Sequence, residues 1–165
     1  TLPELPRRVT FSTVPRYSKR AVLWIVFALA SVGSVAAQEG RFVDTYATSE
    51  AVEGSRTVYL LAIGAGRLEP TTPYSTAAVE QATLSGLERY ATENPISLSE
   101  LAFLVSSYFD IRPGLMGRLF PGPRYALRDL RREDIMLYDV DAAAPVPGAV
   151  ALRTIGRGAR WESSR

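Results

Sequence analysis

The apolar positions of this chain recur mostly at helical spacing. Leu101, Ala102, Leu104, Val105, Tyr108 and Phe109 fall at i, i+1, i+3, i+4, i+7 and i+8, which makes one wide apolar face. Asn94-Pro95 ends the element before it, because the residue before proline avoids helical geometry. Ser97-Leu98-Ser99-Glu100 has the form of a capping box. There the serine hydroxyl accepts from the Glu100 amide and the carboxylate reaches back to the Ser97 amide. Pro113-Gly114 closes this helix. Upstream, Ser49 is expected to cap a helix through Val52, Val58, Tyr59, Ala62 and Ile63 that ends at Gly64 or Gly66. Thr71-Thr72-Pro73 breaks the chain. A second helix from Ser75 or Thr76 then places Val79, Ala82, Gly86, Leu87 and Tyr90 on one side.

Residues 114–123 hold Gly, Pro and the apolar Leu115, Met116, Leu119 and Phe120, which predicts a packed loop with one short helical turn. A fourth helix begins at about Pro123, a favoured first-turn proline, and runs through Tyr125, Ala126, Leu127 and Leu130. Ile135, Met136 and Leu137 return to the core. Pro147 starts a fifth helix with Val150, Ala151, Leu152 and Ile155 inward, and Gly156 and Gly158 are expected to end it. No stretch alternates in the strand period. The fold class expected is all-α, a small bundle of about five helices.

One segment breaks the amphipathic pattern. Residues 21–37, AVLWIVFALASVGSVAA, are uncharged and follow Arg16, Lys19 and Arg20. A basic start, an apolar run and a small-residue exit define an export signal, with cleavage expected after Ala37 or Ala36. The alternative is an uncleaved anchor, although the run is shorter than the roughly 20 apolar residues of a spanning helix. Both place the rest of the chain outside the cytoplasm, in the periplasm or at the cell surface. Membrane contact is expected only through 21–37, and only if that segment stays uncleaved. The remainder divides into a linker and helix start at 38–55, a helical domain at 56–158 and a polar tail at 159–165.

Charge refines this division. The net of +2 is a cancellation: residues 1–37 carry +4, residues 38–110 carry −6 and residues 111–165 carry +4. In the last stretch Arg112, Arg118, Arg124, Arg128, Arg131 and Arg132 crowd together. Arg124, Arg128 and Arg131 or Arg132 share one helical face. Their planar forks suit carboxylate, phosphate or uronate groups, and Tyr125 beside them offers a ring for a sugar face. The same face could equally be a solvated one paired with Glu133 and Asp134. No nucleic-acid motif accompanies it.

The chain has no histidine and no cysteine. That excludes the usual zinc sites, disulfides, thiolate nucleophiles and His-based triads. No cofactor or metal is expected: Asp139-x-Asp141 starts like a calcium loop, but Ala-Ala-Ala-Pro follows. Asp129, Glu133, Asp134, Asp139 and Asp141 keep open a carboxylate-dependent polysaccharide hydrolase, since glycoside hydrolysis needs only two placed carboxylates.

Two helix–loop units emerge, one around Ile96–Val105 and one from Phe120 to Ile155. Over about residues 56–158 the chain resembles the S-layer homology family. Ile96 stands at that family's leading Ile, Ser97 at its Thr, Glu100 at its Glu, and Leu101, Ala102, Leu104 and Val105 at its apolar places. Leu98 replaces the family's Arg, and Pro147-Gly148-Ala149-Val150 degrades the second motif. The resemblance implies a non-catalytic envelope module. Such modules pack repeats into a pseudo-symmetric helical bundle and hold exported proteins to peptidoglycan-linked or other anionic wall polysaccharide. An envelope protein partner is the other expectation. On this reading Ser97, Glu100, Arg124, Tyr125, Arg128, Arg131 and Arg132 are the candidate binding residues. A membrane-anchored ectodomain of a larger envelope complex is the remaining alternative.

Overall fold

The computed structural model describes residues 40–164, so the 21–37 segment, with Ala36 and Ala37, lies outside the described residues. Within them the protein is all-α and has no strand. Seven helices follow one another: α1 (40–48), α2 (Gly54–Gly64), α3 (Thr76–Ala82), α4 (Leu98–Tyr108), α5 (Leu115–Leu119), α6 (Pro123–Arg132) and α7 (Gly148–Ser163). A 3₁₀ turn spans Glu88–Tyr90. The expected five are therefore seven, because α1 and the single turn of α5 are helices in their own right.

The inner layer consists of α2, α4 and α7, which contact one another. Each of these long helices is preceded by a short extended segment centred on Val52, Ile96 or Val146. The three segments meet in a closed ring of backbone hydrogen bonds. Val52 N donates to Val146 O at 2.9 Å, Val146 N to Ile96 O at 3.2 Å, and Ile96 N to Val52 O at 3.0 Å. Two residues further on a second ring runs in the opposite sense: Gly54 N donates to Asn94 O, Leu98 N to Ala144 O, and Gly148 N to Ser49 O. The chain is thus three helix–segment–helix units rather than the two expected. Each segment satisfies polar backbone that would otherwise be buried unpaired.

Outer helices pack on inner helices of neighbouring units. The second unit's α3 lies on α2, and the third unit's α6 lies on α4. The first unit's α1 closes the cycle, with the Tyr46 carbonyl against Gly148 at the start of α7. Two glycines make this possible. A β-carbon on Gly54 would overlap the Tyr90 carbonyl, and one on Gly148 would overlap the Tyr46 carbonyl. The core is formed by Val52, Val58, Leu61, Leu98, Leu101, Leu104, Val105, Leu130, Met136 and Val146, all essentially buried.

Several boundaries differ from expectation. Ser49 does not cap α2; its hydroxyl donates to the Ala51 carbonyl and α2 starts at Gly54. Gly86 lies beyond α3 with φ 85°, in a turn only glycine adopts readily. Gly156 and Gly158 do not end α7. Gly158 is buried where a β-carbon would stand 2.5 Å from the Phe109 ring, so it serves close packing and not termination. Residues 159–163, expected to be tail, are the last turns of that helix, and Trp161 packs against the core. Ala151 and Ile155 are buried as expected, whereas Val150 and Leu152 are only partly so.

Candidate functional site

The capping box forms as read. Ser97 Oγ accepts the Glu100 amide at 3.3 Å, and Glu100 Oε2 accepts both the Ser97 amide and the Ser97 hydroxyl at 2.8 Å. Both side chains are therefore occupied in starting α4. The neighbouring Ser99 amide donates to Ala142 O at 3.0 Å, which ties this helix start to the loop before α7.

Ala142 also lines the basic groove. Arg124, Tyr125, Leu127, Arg128 and Arg131 of α6 surround, with Ala142, an open depression of about 480 Å³. The Arg128 guanidinium sits 5.6 Å from the Tyr125 ring centre, and the Phe120 ring stacks with the same ring at 6.3 Å. Arg131 is committed within the fold. It donates to the Tyr138 and Val140 carbonyls at 3.2 and 3.1 Å and pairs with Asp139 at 3.5 Å, which fixes the approach to α7. Among the described residues Arg124 and Arg128 have no carboxylate partner. Arg132 does not line the groove and pairs with Glu133 at 3.0 Å. Of the predicted set, the structure thus gathers Arg124, Tyr125, Arg128 and Arg131 and leaves Arg132 out.

The acidic candidates have separate local tasks. Asp129 is buried on α6 and accepts the Gly114 amide at 2.8 Å. Asp141 accepts the Ala143 amide, Asp139 and Glu133 pair with arginines, and Asp134 ends α6 with φ 55°. No group of three or more acidic side chains converges to hold a metal among the described residues.

Two features escaped the sequence reading. Arg153 and Arg157, one turn apart on α7, line a small pocket with Leu137 and Tyr138. Their i, i+4 spacing was the available signal. The second is α5, expected to pack its apolar side chains inward. It does the reverse. Gly114 and Gly117 face α6, where β-carbons would stand 2.7 and 2.9 Å from the Asp129 carboxylate. Leu115, Leu119 and Phe120 are 71%, 61% and 60% exposed, and Met116 is 40% exposed. Burial of such side chains is worth about 1.5–3 kcal/mol each, a stabilisation the isolated domain forgoes. Glycine spacing at i, i+3 was the clue to which face points in.

Comparison with known proteins finds no family model, curated sequence or solved structure that matches this chain. Among the described residues no helix is long and apolar enough to cross a membrane.

Proposed function

We propose that residues 40–164 form a non-catalytic module of an exported envelope protein, which binds peptidoglycan or another anionic wall polysaccharide through the α6 groove. The observation that carries this reading is the Phe120–Tyr125–Arg128 stack beside Arg124. It offers aromatic faces for sugar rings and two unpaired guanidinium forks for carboxylates, at an open surface. Arg131, held by backbone carbonyls, gives the groove a fixed wall. Three units closed around Val52, Ile96 and Val146 support the likeness to the S-layer homology arrangement of pseudo-symmetric repeats. The capping box at Ser97 supports it at the level of motif.

Retention of the full chain on purified peptidoglycan sacculi, at low and high salt, tests the proposal. Retention at low salt that weakens as salt rises is expected, and it should be lost in an Arg124→Ala, Arg128→Ala double variant. No retention at low salt overturns it. Release of reducing sugar from the same material, abolished by substituting Asp139 or Asp141 in a chain that stays folded, would replace it with a hydrolase.

A further inference from the structure

Leu115, Met116 and Leu119 of α5 lie outside the lining of the α6 groove. Leu115, Met116 and Leu119 form an apolar knob, with Leu115 and Leu119 at i, i+4, on a helix whose glycine side is fixed against Asp129. Two cations flank it along the chain, Arg112 before α5 and Arg118 within it, while the carboxylate against α5, Asp129, is buried and accepts the Gly114 amide. Arg112 and Arg118 are exposed and make no ion pair among the described residues.

We infer that this knob inserts into the headgroup region of an anionic lipid bilayer, with Arg112 and Arg118 on the lipid phosphates. A short apolar protrusion flanked by cations is the pattern of interfacial membrane binding, in which apolar burial and attraction to anionic lipid act together. Long arginine stems let the charged ends stay at the phosphates while the leucines go deeper. A second copy of the chain fits the same surface poorly. A two-fold interface on this knob would set the Arg118 of each copy against the other's, and the acid packed on α5, Asp129, is buried and already accepts the Gly114 amide. The surface also stands out from the fold, with Leu115 and Leu119 more than half exposed, so it suits a deformable interface better than a preformed protein groove. The inference does not depend on the α6 groove binding polysaccharide.

The chain has no cysteine, so one introduced cysteine is unique. The full chain is labelled with an environment-sensitive fluorophore at Leu119→Cys, or at Gln81→Cys on the exposed side of α3 as a control. Each is mixed with phosphatidylcholine vesicles, with and without phosphatidylglycerol. The Leu119 label should shift to the blue and be quenched by shallow spin-labelled lipid only when phosphatidylglycerol is present, and the Gln81 label should not respond. Arg118→Ala in the Leu119→Cys chain should weaken the response by about fivefold. Circular dichroism confirms that each variant is folded. Absence of a shift at Leu119 overturns the proposal. An equal shift at Gln81, which would report vesicle contact not confined to α5, also overturns it. A blue shift that appears only with an added protein assigns the knob to a protein partner instead.

Discussion

The Asp129 carboxylate receives the Gly114 amide at 2.8 Å, and that contact turns α5 around. With a carboxylate filling the space behind Gly114 and Gly117, no larger side chain can face α6. The leucines are left outside. The outward apolar face of α5 thus has a single cause, one buried acid on the neighbouring helix.

Asp129→Ala should destabilise the protein by about 1–3 kcal/mol, the range for leaving a buried polar group without its partner. Urea denaturation measures this. Asp129→Asn should retain part of the loss, since its carbonyl oxygen still accepts the amide.

Two glycines of α7 should respond oppositely to alanine. At Gly156 the nearest atom to a new β-carbon is Arg160 Nη1 at 3.9 Å, so Gly156→Ala should stabilise by about 0.5–1 kcal/mol through helix propensity. Gly158→Ala would drive a β-carbon into the Phe109 ring and should cost about 1–3 kcal/mol. Melting temperatures of the pair decide it. If both changes destabilise equally, the close approach of Gly158 to Phe109 is wrong.

Ser97→Ala should cost about 1 kcal/mol, the usual loss for a helix cap, and Ser97→Thr should restore most of it. Chemical denaturation of the two variants gives the comparison. Sacculus retention, measured beside it, should not change, because Ser97 acts in the helix start.

Alkaline pH should unfold the protein through two buried tyrosines. Burial pushes the Tyr108 hydroxyl, which donates to the Ala82 carbonyl at 2.7 Å, up to about 12 from 10.0. Burial also raises Tyr46. Its hydroxyl lies 2.8 Å from Thr57 Oγ1, which donates in turn to the Glu53 carbonyl. A folded value above the unfolded one means that the unfolded chain loses its proton first. Stability is therefore fully present below about pH 10 and falls as pH rises toward 12, by up to about 1.4 kcal/mol per pH unit for each tyrosine. Tyr108→Phe should make this decline shallower in denaturation curves between those pH values.

What could be read in advance was local. The Ser97–Glu100 box and the start of α6 at Pro123 depend on residues within one turn of each other, so the sequence carries them whole. The apolar stripe of α4 was legible for the same reason. Glycine was the recurrent difficulty. Gly156 and Gly158 resemble a helix stop, and only the Phe109 ring on another helix shows why Gly158 is there. Helix α1 carries no amphipathic stripe, since Tyr46 alone of its side chains is fully buried, so 38–55 reads as a linker and helix start. Missing that helix hid the first of the three units. For the groove, helical spacing found Arg124, Arg128 and Arg131, but the division of labour among them depends on how the irregular loop after α6 brings the Tyr138 and Val140 carbonyls back to Arg131, which no helical period encodes.

The ring of Val52, Ile96 and Val146 bears on how the chain acquires its structure. Each segment gives a hydrogen bond to one neighbour and takes one from the other, so any two without the third leave a donor and an acceptor open. Partial assemblies are penalised, and the three units should fold together or not at all. Because Val146 stands near the C-terminal end of the described domain, closure waits for the last helix to emerge. A chain passing through a membrane N-terminus first would therefore remain unfolded, and fit for threading, until nearly all of it had crossed.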